Sequence, residues 1–182
     1  MNRTILPLLA LLALVAPARA EALRPTAFGR ALSFRASGYD GESTLANFPA
    51  LVRLSEGIEG FRYADIGATT NAAYAALRFA DAAGNSLDYE IETWDPAGTS
   101  FVWVSLPSLS GTNTSFRAFY APVDGATLPA VHPTNVWTSA GYVCVLHLSD
   151  IVKNYANAYS SYDESRHFAH PSPYGRNGEG GH

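Results

Sequence analysis

From Ala27 onward the apolar and polar positions repeat with a period of two, not three and a half. Phe28, Arg30, Leu32 and Phe34 alternate with Gly29, Ala31 and Ser33, the spacing of a strand. Residues 37–41 (SGYDG) follow as turn chemistry: two glycines for positive φ and an Asp able to bond its own backbone. Asn47-Phe48-Pro49 opens the next extended run, residues 50–54, and Pro49 suits a strand start or an edge because it has no N–H for a ladder. Residues 55–76 are less regular, with an Ala-rich stretch at 71–77 that predicts one helical turn. Leu77-Arg78-Phe79 restores the extended pattern, and residues 81–85 (DAAGN) read as a hairpin turn. Tyr89, Ile91 and Thr93 then share one face of a strand, with Glu90, Glu92 and Trp94 on the other. Asp95-Pro96-Ala97-Gly98 is a turn with Pro second and Gly fourth, the type I arrangement.

Residues 101–106 set Val102, Val104 and Leu106 against Phe101, Trp103 and Ser105. Both faces are largely apolar, which predicts a central strand covered on both sides and assigns Trp103 to the core. After a turn at 110–113, Phe116, Ala118 and Tyr120 mark one face of a further strand. Short strands with turns every 8–12 residues, and no strongly periodic helix of ordinary length, predict an all-β fold. The expected architecture is an antiparallel, jelly-roll-like β-sandwich over residues 21–125. Residues 126–141, with Pro129 and Pro133, read as a linker or crossing loop. Strand character resumes at Val136-Trp137 and at 142–148, and residues 149–182 are polar and rich in turns. A strand at 142–148 with nothing to close it would leave an open edge, so the expectation is a partial second β region in a truncated chain.

Four blocks carry a resemblance: SGYDGESTLANFPALVRLS at 37–55, LRFADAAGN at 77–85, YEIETWDPAG at 89–98 and VWVSLPSLSGTNTSF at 102–116. With them, residues 28–124 resemble the bacterial family called domain of unknown function 2341. The family commonly closes the unit on a Tyr-Tyr-Gly-like sequence, where this chain has Phe119-Tyr120-Ala121. The resemblance implies an exported or cell-surface protein in which this domain precedes a laminin-G-like (concanavalin A-like) jelly roll. Residues 142–148 (YVCVLHL) look like that second domain's opening strand, and residues 163–170 like a degenerate form of its Asp- and Gly-rich turn. Other relatives are fused to TolQ/ExbB-type proton-channel segments.

The ends of the chain fix the expected compartment. Arg3, an apolar run at 5–15 and the small-x-small Ala18-Arg19-Ala20 read as a secretory signal, residues 1–20, cut after Ala20. The apolar run is too short to span a bilayer, and no later stretch is long and apolar enough. Secretion or residence in the cell envelope or periplasm is therefore expected. Removing the signal takes away two arginines and no acid, leaving ten basic against sixteen acidic residues and a formal charge of −6. That balance argues against nucleic acid or an anionic membrane surface as partner. Cys144 is the one cysteine, so no intrachain disulfide can form, and its apolar surroundings predict a buried free thiol.

Candidate chemistry concentrates on one strand. Glu90 and Glu92, two apart on the same face, lie about 7 Å apart, a spacing compatible with a glycosidase pair; alternating glutamates are also what a solvated sheet face presents, and that is the stronger expectation. Trp94, beside the Asp95 turn, could offer a flat apolar platform to a sugar ring, with carboxylates to bond hydroxyls. Trp94, Glu90, Glu92 and Asp95 are thus the candidate ligand-binding residues. Asp81, Asn85 and Asp88 gather oxygens around a turn without the spacing of a calcium loop. His167 and His170 lack further zinc ligands in a rigid frame. No phosphate-binding glycine loop or Gly-x-Ser-x-Gly elbow occurs, and Asn113-Thr114-Ser115 is a formal glycosylation sequon. No catalytic residue, metal or cofactor is expected. The function expected is a non-catalytic binding or adhesion module, with carbohydrate or another cell-surface component as partner. The alternative is a structural spacer or assembly domain of a larger envelope protein; a polysaccharide-active enzyme is the reading the residues favour least.

Overall fold

The computed structural model describes residues 22–147. Among them, seven strands form two antiparallel sheets. They are β1 (Phe28–Arg35), β2 (Leu45–Leu54), β3 (Arg78–Asp81), β4 (Ser86–Leu87), β5 (Tyr89–Thr93), β6 (Ser100–Leu109) and β7 (Ser115–Pro122). One sheet has the order β1-β7-β3-β4, the other β2-β6-β5. Two short α-helices, α1 (Thr70–Ala76) and α2 (Asn135–Thr138), and three single 3-10 turns complete the regular structure among the described residues. The all-β sandwich expected from the alternation is the fold. The signal and the histidines of 167–170 lie outside the described residues.

The period-two pattern explains how the sheets meet. Val102, Val104 and Leu106 of β6 point inward with Val52 and Leu54 of β2 and Tyr89 and Ile91 of β5. Phe79, Leu87, Phe116, Ala118 and Tyr120 come from the opposite sheet into the same core. Each fully buried Val, Leu or Phe side chain contributes about 1.5–3 kcal/mol, and here that burial must suffice without a disulfide.

The irregular stretch at 55–69 closes one end of the sandwich. Phe61, Tyr63 and Ile66 are buried there. The Tyr63 hydroxyl donates to Leu54 O at 2.8 Å and accepts the Ser100 N–H at 3.1 Å, bridging the last rung between β2 and β6. Tyr120 reaches the same loop with a 2.6 Å bond from its hydroxyl to Gly60 O. The Ala-rich stretch forms α1 as expected, with the Thr69 side chain accepting the Ala72 N–H as its N-cap. The turn at 81–85 is a hairpin: Asp81 accepts the N–H groups of Ala83 and Asn85, and Gly84 takes φ +88°.

Both outer faces carry a small apolar patch. On the four-stranded sheet, Phe28, Ala80 and Phe119 are covered by Leu23 and Leu128. On the three-stranded sheet, Trp103 packs with Val136, Trp137 and Val145. Residues 123–147, expected to begin as a linker, therefore run along the sandwich as a strap from one outer face to the other. Val136-Trp137 is helical, not extended: residues 135–138 wind one turn to seat both side chains on the sheet. Residues 142–147, the described part of the strand expected at 142–148, form no named strand. Cys144 is exposed rather than buried, because Val145 is the residue turned toward the tryptophans.

Candidate functional site

The candidate residues lie on and beside β5, and a bulge decides where each points. Glu90 pairs with Trp103 and Ile91 with Val102, but Thr93 pairs with Phe101, so Glu92 is an extra residue in the ladder. Strict alternation would keep Trp94 on the face of Glu90 and Glu92. The extra residue turns Thr93 outward and Trp94 inward, where it packs against the main core. Its indole N–H donates to Gly67 O at 3.0 Å, and its ring meets Tyr63 edge-on at 5.2 Å. Trp94 is thus fastened to the loop that closes the sandwich end, apart from the two glutamates.

Asp95 stays in its turn. Its carboxylate accepts the Ala97 N–H at 3.0 Å, its carbonyl accepts the Gly98 N–H at 3.2 Å, and its own N–H donates to Ser100 Oγ at 2.9 Å. A Cβ at Gly98 would run into the Asp95 carboxylate, which explains the glycine at the fourth position of the turn.

The glutamates meet residues that sequence reasoning did not connect with them. Glu90 is buried, at 3% exposure, so the expectation of a solvated face fails for it. The strap covers it: the Trp137 indole N–H donates to Glu90 Oε2, and His147 Nε2 lies 3.2 Å from Glu90 Oε1. Glu92, more open, accepts the Trp103 indole N–H at 2.7 Å and stands 3.6 Å from His147 Nδ1. The His147 ring therefore sits between the two carboxylates. Trp103, assigned to the core from sequence, is half-buried on the outer face, its ring 5.2 Å from that of Trp137. Trp137 also faces the rings of Tyr142, at 5.8 Å, and His147, at 5.7 Å.

Two earlier ties guide the strap to this face. Arg78, 7% exposed, donates from Nε to Pro129 O at 2.7 Å and from Nη1 to Tyr74 O and Leu77 O. The Asp88 carboxylate, between β4 and β5, accepts the His132 N–H and the Asn135 side-chain amide, each at 2.8 Å. The side chains grouped as Asp81, Asn85 and Asp88 thus divide into a hairpin turn and a strap tie.

Chemically, the arrangement is two carboxylates whose oxygens receive indole N–H groups and flank one imidazole. Clefts of about 260 Å³ beside Asp81 and Arg117, and about 340 Å³ between residues 39–44 and Ser110, Gly111 and Asn113, lie away from it. Among the described residues, no group of three or more His, Cys, Asp and Glu side chains is placed to hold a metal, and no helix is long and apolar enough to cross a membrane.

A β-sandwich with a polar, aromatic-capped sheet face is the class that fold and site define. Residues 73–122, from within α1 to the end of β7, match the family model of a domain of unknown function (DUF2341). Glu90, Glu92, Trp94, Asp95 and Trp103 fall within the match; Trp137 and His147 fall outside it. No curated protein and no solved structure matches the chain.

Proposed function

We propose that this chain provides a non-catalytic spacer or assembly domain of a larger exported envelope protein, one that leads the chain over the sandwich on a defined path. The observation that carries the reading is the burial of Glu90 beneath Trp137 and His147. The face expected to take a ligand takes the chain's own strap, and Trp94, the expected sugar platform, is bonded into the closing loop.

Carbohydrate binding is the second reading, favoured by one specific feature. Outside the strap's tryptophan contact, the three-stranded sheet presents Leu51, 45% exposed, and Phe101 with the Arg53 guanidinium 5.8 Å from its ring centre. An outward aromatic flanked by a charged donor suits a sugar ring. The test sets the two readings against each other. On the spacer reading, the full chain gives no specific signal on a glycan array, and Trp94→Ala lowers stability by about 2–3 kcal/mol through lost packing. Binding to a defined glycan that Phe101→Ala abolishes, with the fold intact, would overturn the spacer reading in favour of the second.

A further inference from the structure

Among the described residues the two sheets end on β1 and β4 and on β2 and β5. Three of these edges are blunted. β4 is only two residues long, and β5 is bulged at Glu92. β2 carries Pro49, which has no N–H to offer, and Asn47 in the left-handed region at φ 49°. Short length, bulges and proline are the devices that keep an edge from pairing. β1 has none of them over residues 30–35. Its register with β7 runs unbroken from Arg30–Tyr120 to Arg35–Ser115, and Ala36 N–H donates to Thr114 O at 2.8 Å. That bond fixes the phase of the antiparallel ladder. Even-numbered residues exchange bonds with β7, and Ala31, Ser33 and Arg35 turn their N–H and C=O groups away from it. Among the described residues no hydrogen bond reaches those outward groups.

The side chains along this edge specify what fits it. Leu32 and Phe34 point inward but are only partly buried, with Phe34 stacked on Phe116 at 5.4 Å. A further strand would lay apolar side chains over them. On the outer face Ser33 lies opposite Arg117 and Arg35 opposite Ser115. The two arginines are therefore diagonal neighbours, about 7–8 Å apart. Both are exposed, and neither stands in an ion pair among the described residues. A second copy of β1 would set a strand bearing Arg30 and Arg35 against the same two residues, and like charges across a ladder destabilise it. An acidic strand meets the opposite balance. We propose that β1 is a strand-addition site: its free edge takes an extended segment of a neighbouring envelope protein, apolar at alternate positions over Leu32 and Phe34 and acidic at those between, beside Arg35 and Arg117. The proposal rests on the assembly reading and gives that assembly its contact.

Fluorescence anisotropy of the full chain with a labelled ten-residue peptide alternating valine and glutamate tests it, beside the same peptide with lysine in place of glutamate. Saturable binding is expected, about tenfold or more tighter for the glutamate peptide. Amide exchange should slow at Ala31, Ser33 and Arg35, the outward groups of β1. Ser33→Pro deletes one outward N–H where an edge strand tolerates proline, and should abolish binding. Arg35→Glu with Arg117→Glu changes only exposed side chains, so it keeps the fold should Ser33→Pro lose it. That double variant should reverse the preference, to about tenfold or more in favour of the lysine peptide. Absence of binding overturns the proposal, as does equal affinity for the two peptides or an unchanged preference in the double variant. A dimer of the unaltered chain with the same three amides protected also overturns it, since a second copy then fills the edge. These outcomes are separable from those of the assembly reading. A glycan signal lost with Phe101→Ala sinks that reading, whereas a silent glycan array without peptide binding sinks the strand addition alone.

Discussion

Replacing Tyr63 by Phe removes one oxygen and leaves a measurable gap at the closed end of the sandwich. The phenol donates its single proton to Leu54 O at 2.8 Å, so its oxygen accepts both the Ser100 N–H at 3.1 Å and the Ser100 hydroxyl proton at 2.8 Å. Ser100 is fully buried, and its Oγ in turn accepts the Asp95 N–H. Phe keeps the ring contacts with Phe61 and Trp94 but strands a buried carbonyl and a buried N–H. Each unsatisfied group costs about 1–3 kcal/mol. The Ser100 hydroxyl can turn toward the carbonyl and recover part of the loss, so the expected destabilisation is about 2–4 kcal/mol. Denaturant unfolding should show a lower midpoint at unchanged slope, with a melting temperature lower by roughly 5–15 °C. A double-mutant cycle with Ser100→Ala should give a coupling of about 1 kcal/mol or more, since the two side chains act as one network. A loss under about 0.5 kcal/mol, or strict additivity with Ser100→Ala, would refute the bridging role of the hydroxyl.

Arg78→Met removes the guanidinium from three backbone carbonyls, of which Leu77 O keeps the Tyr89 hydroxyl as donor, while keeping much of the side-chain volume. Bonds from a charged donor are worth about 1.5–3 kcal/mol each, with partial rescue by water, so a loss of about 3 kcal/mol is expected, together with faster amide exchange at residues 123–134; unchanged exchange there would show that Pro129 is held by other means. The alkaline limb of stability should belong to buried tyrosines. Burial pushes the Tyr89 phenol far above the ordinary value of 10.0 against the opposing pull of Arg78, and burial raises Tyr120 as well. Because the folded-state values lie above the unfolded one, the stabilisation is complete below pH 10 and is lost progressively as pH rises beyond it. Tyrosinate absorbance should appear for these residues together with loss of near-ultraviolet dichroism, and Tyr89→Phe should flatten that limb; ionisation of Tyr89 within a folded chain would contradict the assignment.

The sheets were legible in the sequence because a strand's two faces are written in alternate residues. Val102, Val104 and Leu106 announced an inner face, and the turns at 81–85 and 95–98 were marked by residues whose chemistry makes turns. The candidate site was less legible because one extra residue changes which way everything after it points. Nothing about Glu92 in isolation identifies it as a bulge; the shift is set by the pairing of β5 with β6, a relation between distant segments. Trp94 was therefore read onto the wrong face. Glu90 was misread for a related reason. Alternation placed it on the outer face, correctly, but burial there depends on whether another segment lies over it. The covering residues, Trp137 and His147, are 47 and 57 positions further along. A retrospective signal existed: Val136-Trp137 is a pair of large apolar residues in a polar, proline-containing stretch, which calls for a surface to bury them.

That covering bears on what the matched segment can do by itself. Residues 73–122 supply five of the seven strands, yet β1 and β2 come from before it. The caps of both outer faces also come from outside, Leu23 and Leu128 on one sheet and Val136 and Trp137 on the other. The matched part thus contains the carboxylates, and the flanking part contains the groups that contact and cover them. A buried carboxylate is tolerable where donors meet it and costly where they do not, so Glu90 and the strap bearing Trp137 and His147 form one energetic unit although they lie on opposite sides of the match's end. What distinguishes this chain from a bare sandwich is that pairing. This surface is best understood as a face together with the segment seated on it.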